Sequence, residues 1–149
     1  MQAGDRTVTA EIRIDASPDA VFPFLIDPER IVRWKGVDAH VDAVPGGEFR
    51  VQVTMRDEAV GEYVEVDPPR RVVFTWGWAG DHQLPPGSST VEIELVADGA
   101  GTIVRLTHSG LPEGPDAAQL EGWRHFLPRL AVVAAGDDPG PDPWAQGDM

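Results

Sequence analysis

Histidines, the side chains best suited to acid–base chemistry near neutral pH, are few and widely spaced in this chain. The histidines do not pair with one another at the spacing of metal ligands, and the chain contains no cysteine. The four histidines are His40, His82, His108 and His125. The sequence motifs that bind phosphates, dinucleotides or catalytic zinc are also lacking. We therefore predict no metal site and no cofactor.

His108 is the best-placed candidate for proton transfer. Alternation along a strand over residues 102–109 puts it on the same face as Val104 and Leu106, at the strand end near a pocket mouth. There an imidazole could act as an acid, as a base or as a ligand-orienting group, or it could be a structural histidine bonded to a loop carbonyl. Tyr63, the only tyrosine, could orient a ligand through its hydroxyl or face away from the pocket.

A glutamate is a further candidate on the strand that contains Tyr63. Glu62 and Glu65 fall on opposite faces of this strand, so one of them is expected to point inward. Burying a carboxylate costs several kcal/mol unless the group is paired, so an inward-pointing glutamate would mark a functional site.

Large aromatic side chains form the clearest pattern. Residues 72–80, VVFTWGWAG, place Phe74, Trp76 and Trp78 at every second position and hence on one face of a strand. Each such ring can bury about 150–250 Å². Rings of this kind fill a core or line a cavity that holds a ligand, and the residues alone leave both interpretations open.

The elements that position these residues begin with a strand, because residues 7–14 alternate between apolar and polar side chains. Ser17 and Asp27, each followed by a proline, are N-cap signals for two short helices, near residues 18–25 and 28–34. A proline within the first helix should keep it short or bent.

A sheet and a long helix follow. Residues 37–108 have a period close to two that is broken by turn residues, which predicts six further strands. The turns are short, so neighbouring strands must pair antiparallel. After residue 115 the spacing becomes helical and predicts one amphipathic helix of roughly twenty residues, with Pro128 in its interior. Its expected inward residues are Leu120, Trp123, Leu127, Leu130 and Ala134.

This order of elements predicts an α+β fold. The C-terminal helix is the only element long enough to cover the apolar face of the sheet, so the sheet should curve around that helix and leave a space between them. We assign residues 1–136 to one domain. The acidic segment 137–149 is rich in proline and glycine, and we expect it to be disordered.

Charge excludes several classes of partner. The formal net charge is −13, and Lys35 is the only lysine. The chain has no basic cluster that could bind nucleic acid, and an anionic membrane surface would repel it.

The sequence also lacks membrane and secretion signals. No apolar run is long enough to insert into a membrane, and the N-terminus lacks the pattern of a secretory signal, so we expect a cytoplasmic protein.

Several segments, in this order, resemble a known family. They are SPDAVFPFLIDPERIVRW, PGGEFRV, GEYVEVDPPRRVVFTW, and GTIVRLTHSGLP followed by GWRHFLPRL. The sequence is similar to the START-like, helix-grip (SRPBCC) superfamily and, within it, to the group named after the activator of Hsp90 ATPase. The resemblance implies a seven-stranded antiparallel sheet that grips a long C-terminal helix, with two short helices after the first strand and a deep pocket. Where the family often has two successive aromatic residues, Trp34 is followed by Lys35 and Gly36, which could open the rim.

The resemblance also implies candidate functions. Related proteins bind apolar molecules, and some are polyketide cyclases, aromatases or dehydratases, or co-chaperones. We favour a non-enzymatic protein, of a type found in bacteria, that binds a small apolar or polycyclic molecule related to natural products. In the enzyme alternative, His108, Tyr63 or a glutamate would transfer the proton, and an interaction module or a homodimer is left open. The predicted ligand-binding residues are Trp34, Phe49, Met55, Tyr63, Trp76, Trp78, His108, Trp123, Leu127 and Leu130.

Overall fold

One antiparallel sheet curves around one long helix in the computed structural model, which describes residues 5–143. The strands are β1 (Arg6–Ile14), β2 (Asp38–Val41), β3 (Glu48–Gln52), β4 (Glu58–Asp67), β5 (Arg71–Trp76), β6 (Ser89–Asp98) and β7 (Gly101–Leu111). The helices are α1 (Pro18–Val21), α2 (Pro23–Ile26), α3 (Pro28–Ile31) and α4 (Pro115–Ala134). Among these residues, no helix has both the length and the apolar character needed to cross a membrane.

The seven strands form a single sheet in the order β1-β7-β6-β5-β4-β3-β2. Each neighbouring pair is antiparallel, as the short turns require. The connection through α1, α2 and α3 carries the chain from β1 at one edge to β2 at the other. The predicted α+β helix-grip fold is confirmed.

The short helices begin at the predicted N-caps. Ser17 Oγ accepts a hydrogen bond from the Ala20 N–H at 3.3 Å, and Asp27 Oδ1 accepts one from the Glu29 N–H at 3.0 Å. The helix predicted over residues 18–25 is divided into α1 and α2 at Pro23, because proline cannot donate the hydrogen bond that a continuous helix needs.

Helix α4 buries a wide apolar face despite the proline in its interior. Pro128 lies on the exposed side, where its ring does not meet the sheet. Trp123, Leu127 and Leu130 are buried as predicted, and Phe126 is buried with them. Leu120 and Ala134, also predicted to be inward, are only half-buried because they lie toward the flank of this face.

The prediction of an inward-pointing glutamate is wrong. Glu62 is exposed, and the side chain of Glu65 is 45% exposed and bonds Arg71 at 3.2 Å. The cause is an irregularity in the pairing of β4 with β5 between Tyr63 and Glu65, which adds one residue and shifts the alternation. As a result Tyr63 faces the core and both carboxylates face outward.

The segment after α4 makes contacts within the described residues. The Arg129 Nη2 donates to the Gly140 carbonyl at 2.9 Å, and His125 Nε2 lies 2.8 Å from Asp142 Oδ1. Residues 140–142 thus lie against the helix. Residues 144–149 of the predicted disordered tail lie outside the described residues, and the boundary at residue 136 stays a prediction.

Candidate functional site

A cavity of about 470 Å³ lies between the first half of α4 and the segments that follow β3 and β5. The aromatic side chains that line it are Trp76, Trp78, Trp123 and Phe126. Small residues on α4, among them Ala118 and Gly122, leave room beside the rings. The helix and the sheet therefore do not close on each other at this end.

Trp76 forms the inner wall of the cavity. Its ring centroid lies 5.3 Å from that of Trp123 and 5.4 Å from that of Trp78. The side chain is 2% exposed, and its Nε1–H has no hydrogen-bond acceptor among the described residues. A buried donor without an acceptor is uncommon, because the lost hydration costs roughly 1–3 kcal/mol.

Trp78 lies nearer the surface because Gly77 allows the loop after β5 to fold back. The Trp78 N–H donates to the Leu84 carbonyl at 2.8 Å. A Cβ atom at Gly77 would lie 1.8 Å from the Pro85 carbonyl oxygen, so only glycine permits this close approach. The loop thereby holds the half-buried Trp78 ring over the cavity.

Lys35 also lines the cavity, although it is 3% exposed. The turn after α3 directs its side chain inward, with the Lys35 N–H bonded to the Ile31 carbonyl at 2.9 Å. Gly36 follows with a φ of +91°, and a Cβ atom there would lie 2.6 Å from the Gln52 carbonyl oxygen. Glycine is needed at this position so that the turn can dock on β3.

The ammonium group of Lys35 is surrounded by aromatic rings. Its Nζ lies 4.3 Å from the ring centroid of Trp76 and 4.4 Å from that of Trp123. Trp34 and Phe49 are farther away, at 5.3 and 5.8 Å. Ring faces attract a cation, but they do not replace its hydration shell. Burial therefore lowers the pKa of Lys35 to about 7.

His108 lies behind this wall in a fully bonded position. The Trp123 Nε1–H donates to His108 Nδ1 at 3.0 Å, so in the neutral ring Nε2 carries the proton. Nε2 lies 2.8 Å from Ser89 Oγ, which donates in turn to the Trp76 carbonyl at 2.7 Å. Burial, together with the positive charge of Lys35, lowers the pKa of His108 to about 3. The imidazole is therefore neutral and links β7, β6, β5 and α4.

Tyr63 is buried on the other side of the aromatic cluster. Its hydroxyl donates to the Leu25 carbonyl at 3.1 Å, and its ring meets Phe49 edge-on at a centroid distance of 5.7 Å. Burial raises the pKa of the Tyr63 hydroxyl. The side chain ties the short helices to the sheet.

Comparison with known proteins places this architecture in a family. Residues 15–135 match the family described as Activator of Hsp90 ATPase homolog 1-like protein. The chain belongs to this family. None of the curated proteins matches the chain.

Solved structures of similar proteins share the fold. The AHSA1-like protein of Rhizobium etli is 45% identical over 99% of this chain and 94% of its own, with a TM-score of 0.73. CalU16 of Micromonospora echinospora is 32% identical over 92% of this chain and 78% of its own, with a TM-score of 0.75. DynU16, from the dynemicin biosynthetic locus, is 27% identical over 89% of this chain but only 49% of its own, with a TM-score of 0.74.

The structure of this family member brings some of the predicted ligand-binding residues together. Trp76, Trp78 and Trp123 line the cavity. Trp34 and Phe49 line a separate void of about 10 Å³ behind Lys35, barely the space that one water molecule needs. That these side chains contact a ligand stays a prediction.

The other predicted residues do not line the cavity. Those that are buried in the core are Tyr63, His108, Leu127 and Leu130. His108 does not lie at the strand end, since β7 continues to Leu111, and its ring centroid is 6.0 Å from those of the cavity-lining Trp76 and Trp123. Met55 is 67% exposed, because β3 ends at Gln52 and a turn follows in which Thr54 Oγ1 accepts the Asp57 N–H at 3.1 Å.

Sequence reasoning missed several residues that line the cavity of this family member. They are Lys35, Asp57, Asp81, Gln119 and Phe126. Two had signals. Lys35 is the only lysine and follows Trp34 where the family often has a second aromatic residue, and Gln119 lies one helical turn before Trp123 on the buried face. The acidic residues lie in loops, where the sequence has no periodicity that indicates direction.

Proposed function

We propose that this protein binds a small apolar or polycyclic molecule in the cavity lined by Trp76, Trp78 and Trp123. The observation that carries the proposal is a cavity of about 470 Å³ with three indole rings in its wall. Its volume lies within the roughly 300–1,000 Å³ of small-molecule sites, and such sites are mostly apolar and aromatic with few polar groups.

One of its neighbours in fold supports a ligand related to natural products. DynU16, which is 27% identical to this chain, comes from the dynemicin biosynthetic locus. A flat polycyclic molecule suits a site in which Trp76 and Trp123 meet at 51° and Trp78 stands at 74° to Trp76. Rings at such angles can contact both the face and the edge of an aromatic guest.

Binding is favoured over catalysis by the state of the two candidate proton-transfer residues. His108 and Tyr63 are both fully buried, and neither lines the cavity. Both nitrogens of His108 are already within hydrogen-bond distance of Trp123 and Ser89, and the Tyr63 hydroxyl donates to a backbone carbonyl. A general acid or base must reach its substrate directly or through one water molecule.

Titration with N-phenyl-1-naphthylamine, a neutral apolar fluorophore, tests the proposal. We expect saturable fluorescence enhancement by one bound molecule per chain. Ala118 and Ala117 are neighbouring exposed residues near the start of α4, but only Ala118 lines the cavity. Ala118→Trp should therefore weaken binding about ten-fold or more by filling the site, a loss of about 1.4 kcal/mol, whereas Ala117→Trp should bind as the wild type does.

The control outcome decides between this site and general hydrophobic adsorption. Equal affinity of the two tryptophan variants would place the fluorophore elsewhere, and an unsaturable wild-type signal would show that the cavity does not hold such molecules. Either result overturns the proposed function.

A further inference from the structure

The ammonium group of Lys35 is a buried cation that lacks an anion. Among residues 5–143 no carboxylate and no hydrogen-bond partner lies within bonding distance of its Nζ, and burial alone acts on its pKa. An unpaired buried charge is costly, because the effective penalty for removing an ion from water is several kcal/mol. Buried charges in proteins are for this reason usually paired.

The acidic side chains in the cavity wall have other partners. Asp57 Oδ2 lies 3.3 Å from Thr54 Oγ1, and Asp81 Oδ1 accepts the Gln83 N–H at 2.7 Å. These contacts hold the two carboxylates within their own loops. The wall residues therefore supply negative charge at the cavity without supplying Lys35 with a bonded anion.

The other titratable groups packed around this site do not pair with Lys35 either. On β7, His108 is neutral and bonded at both nitrogens. On β4, the Tyr63 hydroxyl donates to the Leu25 carbonyl. On α4, Arg129 Nε donates to the Trp34 carbonyl at 3.3 Å, which adds a second cation beside the turn. The aromatic rings are then the main stabilising contacts of the ammonium group.

A second donor at the same cavity also lacks an acceptor. The buried Trp76 Nε1–H has no acceptor among residues 5–143, and Lys35 Nζ lies 4.3 Å from the centroid of this same ring. Lys35 and Trp76 thus both line the cavity, and each has a hydrogen-bond donor without an acceptor among residues 5–143. An anionic oxygen of a bound molecule would give the ammonium group the partner that it lacks.

We propose that the ligand carries an anionic oxygen, such as a carboxylate, on its apolar or polycyclic skeleton, and that Lys35 binds this oxygen inside the cavity. The inference rests on the proposed function, because it names the class of molecule that the same site selects. The aromatic rings hold the skeleton, and the ammonium group, on a side chain that is only 3% exposed, supplies an ion pair that is stronger than it would be in bulk water.

A pair of fluorophores that differ by one sulfonate group tests this inference. The anion is 1-anilinonaphthalene-8-sulfonate, and the neutral twin that lacks the sulfonate is N-phenyl-1-naphthylamine. We expect the wild type at about pH 6 to bind the anion about ten-fold or more tightly than the neutral twin, and Lys35→Met to reduce this ratio to about one. Methionine preserves much of the apolar volume of the side chain, and the readout is the ratio of the two affinities rather than either affinity alone.

The wild type also provides a test that needs no variant. Its affinity for the sulfonate should fall about ten-fold or more from about pH 6 to about pH 9, as Lys35 loses its proton, while affinity for the neutral twin stays constant. Lys35→Arg remains charged throughout this range, so its affinity for the sulfonate should not vary with pH.

The outcomes separate this inference from the function on which it rests. If neither fluorophore binds the wild type, the proposed function fails, and the inference fails with it. If both bind equally, or if the preference for the anion persists in Lys35→Met and at high pH, the cavity binds apolar molecules and only the role of Lys35 is refuted.

Discussion

Replacement of Lys35 by methionine should change how the stability of the unliganded protein depends on pH. Burial lowers the pKa of Lys35 to about 7 in the folded chain, against an ordinary value of 10.5. Between these two values the unfolded chain binds more protons than the folded chain. Stability therefore rises with pH across this window, and the cost of burying the ammonium group is fully present below about pH 7.

The size of the effect follows from the two pKa values. Each pKa unit corresponds to about 1.4 kcal/mol, and the lysine contribution between about pH 7 and about pH 9.5 amounts to about 3 kcal/mol. Total stabilities of about 5–15 kcal/mol are usual, so the change is large enough to measure. Measurements at higher pH are avoided because of Tyr63, whose pKa burial raises. Above about pH 10 its hydroxyl ionises in the unfolded chain but not in the folded chain, which lowers the free energy of unfolding.

Urea denaturation of both proteins at several pH values provides the measurement. Lys35→Met should be more stable than the wild type at about pH 6, and the difference should shrink by about 3 kcal/mol by about pH 9.5. The other titratable side chains are present in both proteins, and the buried His108, whose pKa the charge of Lys35 lowers, is neutral in the folded wild type over this pH range, so the difference between the two curves reports on Lys35. Curves that run parallel over this range would show that Lys35 is hydrated or paired in solution, and would refute the burial argument.

Two further predictions concern the scaffold of the site. His108 is neutral, with a pKa lowered to about 3, so its contribution to wild-type stability should fall by about 2 kcal/mol from about pH 6.5 to about pH 4.5. His108→Leu should therefore give a flatter urea-denaturation profile at lower overall stability. Gly77→Ala should cost more than about 2 kcal/mol in thermal or urea unfolding, because its Cβ would lie 1.8 Å from the Pro85 carbonyl oxygen. Gly122→Ala, whose added methyl group meets no atom within 4 Å, should instead stabilise α4 by about 0.5–1 kcal/mol.

Both predictions can fail in a definite way. An equal pH dependence for wild type and His108→Leu would mean that the imidazole does not remain neutral in the folded protein. Equal effects of the two alanine substitutions would mean that the loop after β5 does not pack closely against Gly77.

The sequence by itself determined the order of the elements and most of their faces. Alternation identified the inward side chains of β6 and β7, and proline after Ser17 and Asp27 marked the starts of the short helices. Such patterns are readable because each reports a local period or a local hydrogen bond. The fold, including the long α4 against one curved sheet, followed from these local signals together with the family resemblance.

The tertiary structure decided which side chains meet at the cavity. Trp76 lies 5.3 Å from Trp123 and 5.4 Å from Trp78, measured between ring centroids, and these contacts join residues of β5, α4 and a loop that no local sequence period brings together. The irregularity after Tyr63 reversed the direction of Glu65, since one added residue shifts the alternation. The position of Lys35 depended on a turn that docks on β3 through Gly36. In the sequence Lys35 is simply the only lysine, and only the packing of distant rings around it makes it a buried cation without an anion.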